Sequence, residues 1–278
     1  MQRYSVLMSV YHKEKQEYLR QAMESVYRQT VPTDNFVLVC DGPIGSELES
    51  VIASMQEKFQ EILTVVRLQK NVGLGNALNE GLKYCKNDLI ARMDTDDIAR
   101  EDRCEKQIEV FTSNPEIGIV SGIVEEFLES TDIVTAQRKP PEKHDQILKF
   151  AKKRSPFNHP CVMYRKSAVE AVGGYREIFL LEDYYLWVRM LTNGTVGYNI
   201  QEPLLWMRAG SNMYKRRGGM RYIKAQLFLF SYMKQAGFIS TIEYVESVTI
   251  RALSGLAPAW LREFMFEKIL RSRQSGNR

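Results

Sequence analysis

The first hundred residues alternate between short apolar runs and segments with helical spacing, and this alternation limits the possible folds more than any other feature. The strand-like runs are residues 4–10, 36–40, 62–68 and 88–93, and the helix-like segments are 16–29, 47–59 and 71–84. The run 36–40 is apolar throughout, which is typical of a strand covered on both faces. Repeated strand–helix units predict an α/β fold with a mostly parallel sheet flanked by helices, and ligands bound beyond the carboxyl ends of its strands.

The second half of the chain alternates less regularly. Residues 117–127 and 161–164 are predicted as strands, residues 181–191 as a helix and residues 204–207 as a last short strand. From residue 218 the pattern is helical and basic: residues 205–278 carry 13 Lys and Arg against 4 Asp and Glu, although the whole chain has a net charge of only +4. Such an extension is either a solvated helical face or a surface attracted to phosphates or anionic lipid.

The cysteines favour a reducing compartment. Cys40, Cys85, Cys104 and Cys161 are widely spaced and form no C-x-x-C pair. The first residues show no signal-peptide pattern, and no apolar run reaches the roughly 20 residues that a membrane-spanning helix needs. We therefore expect a cytoplasmic protein whose contact with the inner face of the cytoplasmic membrane, through its basic extension, is peripheral.

The strongest chemical signal is Asp94-Thr95-Asp96-Asp97, directly after the fourth predicted strand. The carboxylates of this turn repel one another, and a bound divalent cation would relieve that repulsion. Oxygen ligands suit Mg²⁺ or Mn²⁺, which take further ligands from water and substrate phosphates. The alternative is a solvated acidic turn that begins the next helix.

Three further segments carry candidate binding or catalytic groups. Asp41 ends the second predicted strand, where its carboxylate can accept a hydrogen bond from a nucleotide base or ribose, or can simply form a turn. The glycine-containing helix start at residues 71–81 can approach a phosphate, although Leu78 stands where a G-x-G-x-x-G fingerprint has its third glycine. Glu182 and Asp183 open an apolar helix; they either complement the helix dipole or provide a partly desolvated general base.

Together these segments resemble, in type and in order, the motifs of the family 2 glycosyltransferases of GT-A fold. The matching segments are Ser9-Val10-Tyr11-His12-Lys13-Glu14, Cys40-Asp41-Gly42, residues 71–81, Asp94-Thr95-Asp96-Asp97, Asn158-His159-Pro160, Val172-Gly173-Gly174-Tyr175 and Glu182-Asp183. The resemblance covers about residues 4–219 and is specific because several spaced motifs agree. It is nearest to bacterial enzymes of exopolysaccharide, capsule and O-antigen assembly.

The resemblance implies a role for individual residues. The residues implied to bind the nucleotide sugar are Ser9, Val10, Tyr11, Glu14, Asp41, Asn71, Gly73, Asn76, Asp94, Thr95, Arg208 and Arg216. Asp96, with Asp94 through the ribose or a water, would hold Mn²⁺ or Mg²⁺. His159 and Glu182 would contact the acceptor, and Asp183 would be the catalytic base.

Two positions depart from the family pattern. Leu78 stands where many relatives carry Arg, and Arg208-Ala209-Gly210 stands where many carry an Arg-x-His motif. The second departure places no histidine where the family pattern implies a third metal ligand, and the identity of that ligand stays open. Water or the basic run Lys215-Arg216-Arg217 would then help to neutralise the diphosphate.

The implied reaction moves a sugar from a nucleoside diphosphate sugar, in particular a UDP-sugar, to a saccharide hydroxyl with inversion at the anomeric carbon. We predict a GT-A catalytic domain over residues 1–215, with a nucleotide-sugar half at 1–100 and an acceptor half at 101–215, followed by the basic helical extension at 216–278. A polyprenyl-diphosphate-linked acceptor would place the reaction at an anionic membrane surface. No motif of the sequence indicates a nucleic-acid partner.

Two other function classes are open at this point. A sugar-nucleotide pyrophosphorylase also binds a nucleotide at an α/β crevice, but that family has a glycine-rich loop after strand one, where Tyr11-His12-Lys13-Glu14 contains no glycine. A non-catalytic saccharide-binding protein on the same fold is the other alternative, and the presence of the acidic turn and Asp183 argues against it. Release of UDP from a UDP-sugar, with and without Mn²⁺, distinguishes the classes.

Overall fold

The computed structural model describes residues 2–209 and 219–256. The strands are β1 (Tyr4–Val10), β2 (Asn35–Cys40), β3 (Leu63–Arg67), β4 (Leu89–Arg92), β5 (Ile98–Ala99), β6 (Ile117–Phe127), β7 (Val134–Arg138), β8 (Met163–Arg165) and β9 (Val196–Arg208). The helices are α1 (Gln16–Tyr27), α2 (Ser46–Phe59), α3 (Leu74–Leu82), α4 (Arg103–Ser113), α5 (His144–Ala151), α6 (Lys166–Glu170), α7 (Glu182–Thr192), α8 (Met220–Gln235) and α9 (Thr241–Leu256). Short 3-10 turns occupy Gln60–Ile62 and His159–Cys161.

One sheet runs through the molecule in the order β3-β2-β1-β4-β8-β6-β9-β5, and β7 pairs with β6 beside this path. The first four strands are parallel, as are β6 and β9. β8 is antiparallel to both β4 and β6, so it joins the two parallel parts. The mostly parallel sheet flanked by helices confirms the predicted α/β class, and β1 to β4 agree with the predicted runs to within one residue at each end.

Alternate residues of the strands supply hydrophobic clusters on the two faces of the sheet. Val6 and Met8 of β1 pack with helices α1, α2 and α4, whereas Leu7 packs with α3 and α7. This is the period-2 alternation of a strand that is covered on both sides. It leaves the carboxyl ends of the strands as the edge where polar side chains gather.

Strand β9 is much longer than the predicted strand at residues 204–207, so that prediction was wrong in extent. Gln201, Glu202 and Pro203 interrupt the apolar pattern and conceal the first part of the strand. The pairing of β9 with β6 continues past them because its register shifts around Ile123, which faces Pro203. A bulge of this kind accommodates a residue that cannot donate a ladder hydrogen bond.

Helix α8 packs on helix α7 and the loop before it. Leu229, Phe230 and Met233 of α8 lie in one hydrophobic cluster with Tyr185 and Val188 of α7. The start of the C-terminal extension is therefore bound to the helix that carries Glu182 and Asp183. Among the described helices, none is both long enough and apolar enough to cross a membrane.

Candidate active site

The acidic turn follows β4 at the carboxyl edge of the parallel strands. Asp94, Asp96 and Asp97 each place one carboxylate oxygen within 4.8 Å of the others. Both oxygens of Asp94 accept hydrogen bonds from the Arg92 guanidinium, one of them at 3.1 Å from Nη1. The Asp97 side chain is buried; one oxygen accepts the Arg208 backbone N–H at 2.9 Å, and the other has no hydrogen-bond partner in the described part of the chain.

Burial and mutual repulsion keep two of these carboxyls easy to protonate. Burial raises the pKa of Asp96 to about 7, with further contributions from the charges of Asp94 and Glu14. Burial also raises the pKa of Asp97 well above its ordinary value, and the charges of Asp96 and Asp94 add to the rise. A cluster of oxygen donors that is costly to ionise alone, with one buried oxygen unpartnered, fits a hard divalent cation such as Mn²⁺ or Mg²⁺.

The loop after β1 closes one side of the acidic turn. Thr95 Oγ1 donates a hydrogen bond to the Glu14 carboxylate at 2.8 Å and lies 3.5 Å from the Ser9 carbonyl oxygen. Val10 is buried, whereas the ring of Tyr11 is 39% exposed and lies edge-on to His12. The structure thus brings the predicted base-binding segment against the predicted metal turn, with an aromatic ring available at the surface.

Asp41 fixes the glycine-containing turn that starts α3. Its carboxylate accepts the backbone N–H groups of Val72 at 2.7 Å and Gly73 at 3.1 Å, and its carbonyl accepts the side chain of Asn71 at 3.2 Å. The Asn76 side chain donates to the Val72 carbonyl at 3.0 Å, which tightens the same turn. Each Asp41 oxygen keeps a second lone pair, so this structural role is compatible with a nucleotide contact.

The starts of α3 and α7 lie side by side. A Cβ atom built on Gly75 would lie 3.3 Å from the Cβ of Tyr175 and 3.7 Å from that of Glu182. Leu180, just before α7, has a φ of +58°, a strained conformation for a branched residue that is characteristic of functional loops. Because of this close approach, the glycine-containing start of α3 faces the acidic pair from the second half of the chain.

Glu182, at the start of α7, is a carboxyl group with a strongly raised pKa. Burial raises its pKa to about 7, and the charge of Asp183 adds to that rise. The charge of Asp94 raises it slightly and that of Arg92 lowers it, so the acidic turn and the start of α7 are within electrostatic reach of each other. Groups predicted from opposite halves of the sequence therefore share one site.

His159 lies beneath this site as a neutral ring. Its Nε2 atom is 3.0 Å from the Tyr175 hydroxyl, and its ring packs edge-on against Trp187. Burial and the nearby Arg92 charge hold the pKa of His159 well below its ordinary value. Asn79 fixes Tyr175 in turn, since its side chain exchanges two hydrogen bonds of 2.8 Å with the Tyr175 backbone.

Arg208 holds the acidic turn from behind. Its Nε donates to the Asp96 carbonyl at 3.1 Å, its Nη2 donates to Gln21 at 2.7 Å, and its guanidinium lies between the rings of Tyr18 and Phe127. Its predicted contact with a diphosphate stays a prediction. Arg216, together with Lys215 and Arg217, lies outside the described residues.

Sequence reasoning assigned no role to two residues at this site. Arg92 is fully buried and hydrogen-bonded to Asp94. The sequence pattern that could have identified it is a charged residue at the end of an otherwise apolar strand. Tyr175 belonged to a recognised motif, but its hydroxyl contact with His159 spans 16 residues and depends on the fold. Both lie between the acidic turn and α7.

Known proteins resemble this chain in sequence over most of its length. The sequence profile described as Glycosyl transferase family 2 matches residues 5–173. The amylovoran biosynthesis glycosyltransferase AmsE of Erwinia amylovora is 40% identical over 268 residues, covering 95% of this chain and 98% of its own. The UDP-Gal:alpha-D-GlcNAc-diphosphoundecaprenol beta-1,3-galactosyltransferase of Escherichia coli is 38% identical over 269 residues, with 97% of each chain covered.

Solved structures show the same fold at low sequence identity. S. aureus TarS 1-349 in complex with UDP-GlcNAc superposes with a TM-score of 0.70 at 16% identity, covering 96% of this chain and 76% of that one. The mannosyltransferase PcManGT from Pyrobaculum calidifontis, in complex with GDP-Man and Mn²⁺, superposes with a TM-score of 0.62 at 15% identity, covering 95% and 79%.

Proposed function

The chain belongs to glycosyl transferase family 2, and from this premise we propose that it transfers a sugar from a UDP-sugar to a saccharide hydroxyl with inversion of the anomeric carbon. The observation that carries the proposal is that Glu182 lies beside the glycine-containing start of α3 and within electrostatic reach of both Asp183 and the acidic turn. Family membership also sets aside the pyrophosphorylase alternative.

The donor would lie along the carboxyl ends of β1, β2 and β4. Asp41 would accept the uracil N–H with its remaining lone pairs, and the loop at Ser9, Val10, Tyr11 and Glu14 would cover the base and ribose. The N-terminal end of α3, with Asn71, Gly73 and Asn76, would face the phosphates, because a helix start favours negative charge. A UDP donor is supported by the name of the relative that is 38% identical.

Asp96, Asp97 and Asp94 provide the oxygen donors that a divalent cation at the diphosphate would use. Such a cation offsets the negative charge that grows on the leaving group. The protein supplies the arrangement: the Arg208 backbone N–H holds Asp97, and the Arg92 guanidinium holds Asp94. Thr95 keeps Glu14 against the turn.

The acceptor would bind on the α7 side, against Glu182 and His159. Asp183 would take the proton of the attacking hydroxyl as the oxygen–carbon bond forms and the bond from carbon to the diphosphate breaks. The nucleoside diphosphate leaves from the opposite face, so a UDP-α-sugar gives a β-linkage. Glu182 is the alternative base, because its pKa of about 7 matches the pH at which a general base is most effective.

The test of this function is sugar transfer with matched variants. UDP release from a panel of UDP-sugars is measured with Mn²⁺ or with EDTA, using a GlcNAc-diphosphate-lipid acceptor of the kind named for the relative from Escherichia coli. Asp183→Asn should keep UDP binding and lose transfer by about 10²–10⁴-fold, the usual contribution of a general base. Glu177→Gln, an exposed carboxylate before α7, is the control and should transfer normally.

The outcomes separate the alternatives. Full loss in Glu182→Gln with normal transfer in Asp183→Asn would exchange the two roles. Binding of UDP-sugars without transfer or hydrolysis, across UDP-, GDP- and dTDP-donors and several saccharide acceptors, would favour the non-catalytic alternative. Product NMR that shows retention of configuration would refute the inverting mechanism.

A lipid-linked acceptor would bring the enzyme to the cytoplasmic face of a membrane, and helix α8 offers a surface for that contact. Met220 and Phe228 are 61% and 53% exposed, and they lie on the outer face of α8 with the exposed residues Arg221 and Lys224. An amphipathic face that combines apolar and basic residues suits an anionic lipid surface. We place the polyprenyl-diphosphate end of the acceptor on this side.

Vesicle binding tests the membrane contact. Binding should rise with the fraction of anionic lipid and weaken with salt, since charges are screened over about 10 Å at 0.1 M ionic strength. Lys224→Glu should weaken it at least about fivefold, because one basic residue near the surface contributes about 1 kcal/mol. Lys149→Glu, the same charge change on α5, is the control; equal losses in both variants would contradict the assignment.

A further inference from the structure

Arg92 is a fully buried arginine in the middle of the site. It ends β4, and its side chain points to the same face as Ile90, toward the cluster that contains Trp187. Its backbone N–H donates to the Val162 carbonyl at 3.0 Å, so the strand itself is secured without the side chain. The guanidinium is therefore not needed to hold the end of β4.

The only carboxylate within 4 Å of this guanidinium, among the residues that the structure describes, is Asp94. The arginine side chain is 1% exposed and its partner 34% exposed. Each terminal nitrogen donates to one oxygen of Asp94, and Nε has no hydrogen-bond partner within residues 2–209 and 219–256. Burying the guanidinium costs desolvation free energy that an apolar residue of similar volume would avoid, so folding alone does not explain this arginine.

We infer that Arg92 is a positioning residue of the donor site. The fork formed by its two terminal nitrogens holds the Asp94 carboxylate in one orientation. The acidic turn therefore stays assembled before the donor and its cation bind. This inference rests on the proposed function. The two parallel hydrogen bonds stop the carboxylate from rotating, and only the outer lone pairs of Asp94 remain for the donor. The positive charge of Arg92 also offsets the repulsion among the carboxylates that lie within 4.8 Å of one another.

The fork and the charge can be separated by substitution. Arg92→Lys keeps the charge but cannot form two parallel bonds from one planar group, so it removes the orientation alone. Arg103→Lys is the matched control. Arg103 is equally buried and donates to the Arg92 carbonyl at 2.7 Å, but it touches no carboxylate of the turn.

The measurement is the affinity for Mn²⁺ in the presence of UDP, followed by the EPR signal of free Mn²⁺. Arg92→Lys should weaken Mn²⁺–UDP binding about 10–100-fold, the usual effect of losing a group that orients a metal ligand. Arg103→Lys should stay within about threefold of the parent. With Asp94→Asn already present, Arg92→Lys should cause no further loss, since residues that act through one contact are not additive.

Unchanged Mn²⁺–UDP affinity in a folded Arg92→Lys variant would overturn the inference, as would full additivity with Asp94→Asn. If Arg92→Lys does not fold, Arg92→Gln, which carries no buried charge, is measured in its place; failure of both to fold would assign Arg92 to the core alone and also overturn it. The readout is independent of sugar transfer. Weakened binding in the variant, with no transfer by the parent, would refute the proposed function and leave the positioning role standing.

Discussion

Replacement of Glu182 by glutamine should stabilise the protein above neutral pH, although Glu182 belongs to the proposed site. Burial raises the pKa of this carboxyl from its ordinary value of 4.5 to about 7. The folded state therefore binds the Glu182 proton more firmly than the unfolded state does. Between pH 4.5 and 7 unfolding releases this proton, so the free energy of unfolding falls as the pH rises through that window.

The size of the effect follows from the shift. A rise from 4.5 to about 7 corresponds to at most about 3.4 kcal/mol, at about 1.36 kcal/mol per pH unit. Glu182 is partly exposed, and solvent screening reduces this to about 1–2 kcal/mol. Glutamine keeps the size of the side chain, carries no charge to desolvate and removes the repulsion from Asp183.

Urea unfolding in EDTA, without nucleotide, measures the prediction at several pH values. Glu182→Gln should match the parent near pH 4.5, exceed its stability by about 1–2 kcal/mol at pH 8, and change most between the two. Glu177→Gln, an exposed carboxylate in the preceding loop, should stay within about 0.5 kcal/mol at every pH. A Glu182→Gln variant that is less stable than the parent at pH 8, or whose difference does not vary with pH, would refute the reasoning.

Three other predictions concern the metal turn, the general base and the loop before Tyr175. Asp96→Asn should not lower the unfolding temperature in EDTA, because burial raises the pKa of Asp96 to about 7 and the variant has no carboxylate to desolvate. Mn²⁺ with UDP should no longer raise the unfolding temperature of this variant, and a rise equal to the parent's would contradict the role of Asp96 as a ligand. If Glu182 is the base, the transfer rate should rise as the pH passes about 7, and in Asp183→Asn the same rise should occur at a lower pH, because the Asp183 charge that helps to raise the Glu182 pKa is gone; a rate that is flat from pH 5 to 9 removes Glu182 from this role. Gly174→Ala should cost about 1–3 kcal/mol, because its Cβ would lie 2.6 Å from Asn79 Oδ1 at a φ of +67°. Gly194→Ala, at a φ of +85° with no atom of the described residues within 4 Å of its Cβ, isolates the backbone strain, and equal losses would show that the Asn79 contact is unimportant.

Long-range contacts explain which features of the site the sequence could not supply. The Thr95–Glu14 hydrogen bond joins residues 81 positions apart, and Arg208 reaches the acidic turn across more than 100 positions. No local pattern encodes such pairs, because they form only when separate strands end at one edge of the sheet. The Arg92–Asp94 fork is close in sequence, yet its burial depends on α7 and β8 covering that edge.

Tertiary contacts also set the full length of β9. Val196, Tyr198 and Ile200 alternate as in a strand, but Gln201, Glu202 and Pro203 follow, and their local preference is for the end of a strand. Pairing with β6 overrides that preference, since β6 is buried along its whole length and needs a partner for its backbone groups. The predicted strand at residues 161–164 begins later in the structure. Residues 159–161 instead form a 3-10 turn, which places His159 under the site.

The sequence by itself determined the α/β class, the first four strands and the order of the motifs, because the alternation of apolar residues and the residue types at strand ends are local properties of the chain. It also led to a prediction of which carboxylates carry the chemistry. Only the tertiary structure decided that Asp41 fastens the turn before α3, that Arg208 supports the acidic turn from behind and that Arg92 holds Asp94. These contacts form because packing of the two halves removes water from buried charges, which must then find partners in space instead of along the chain.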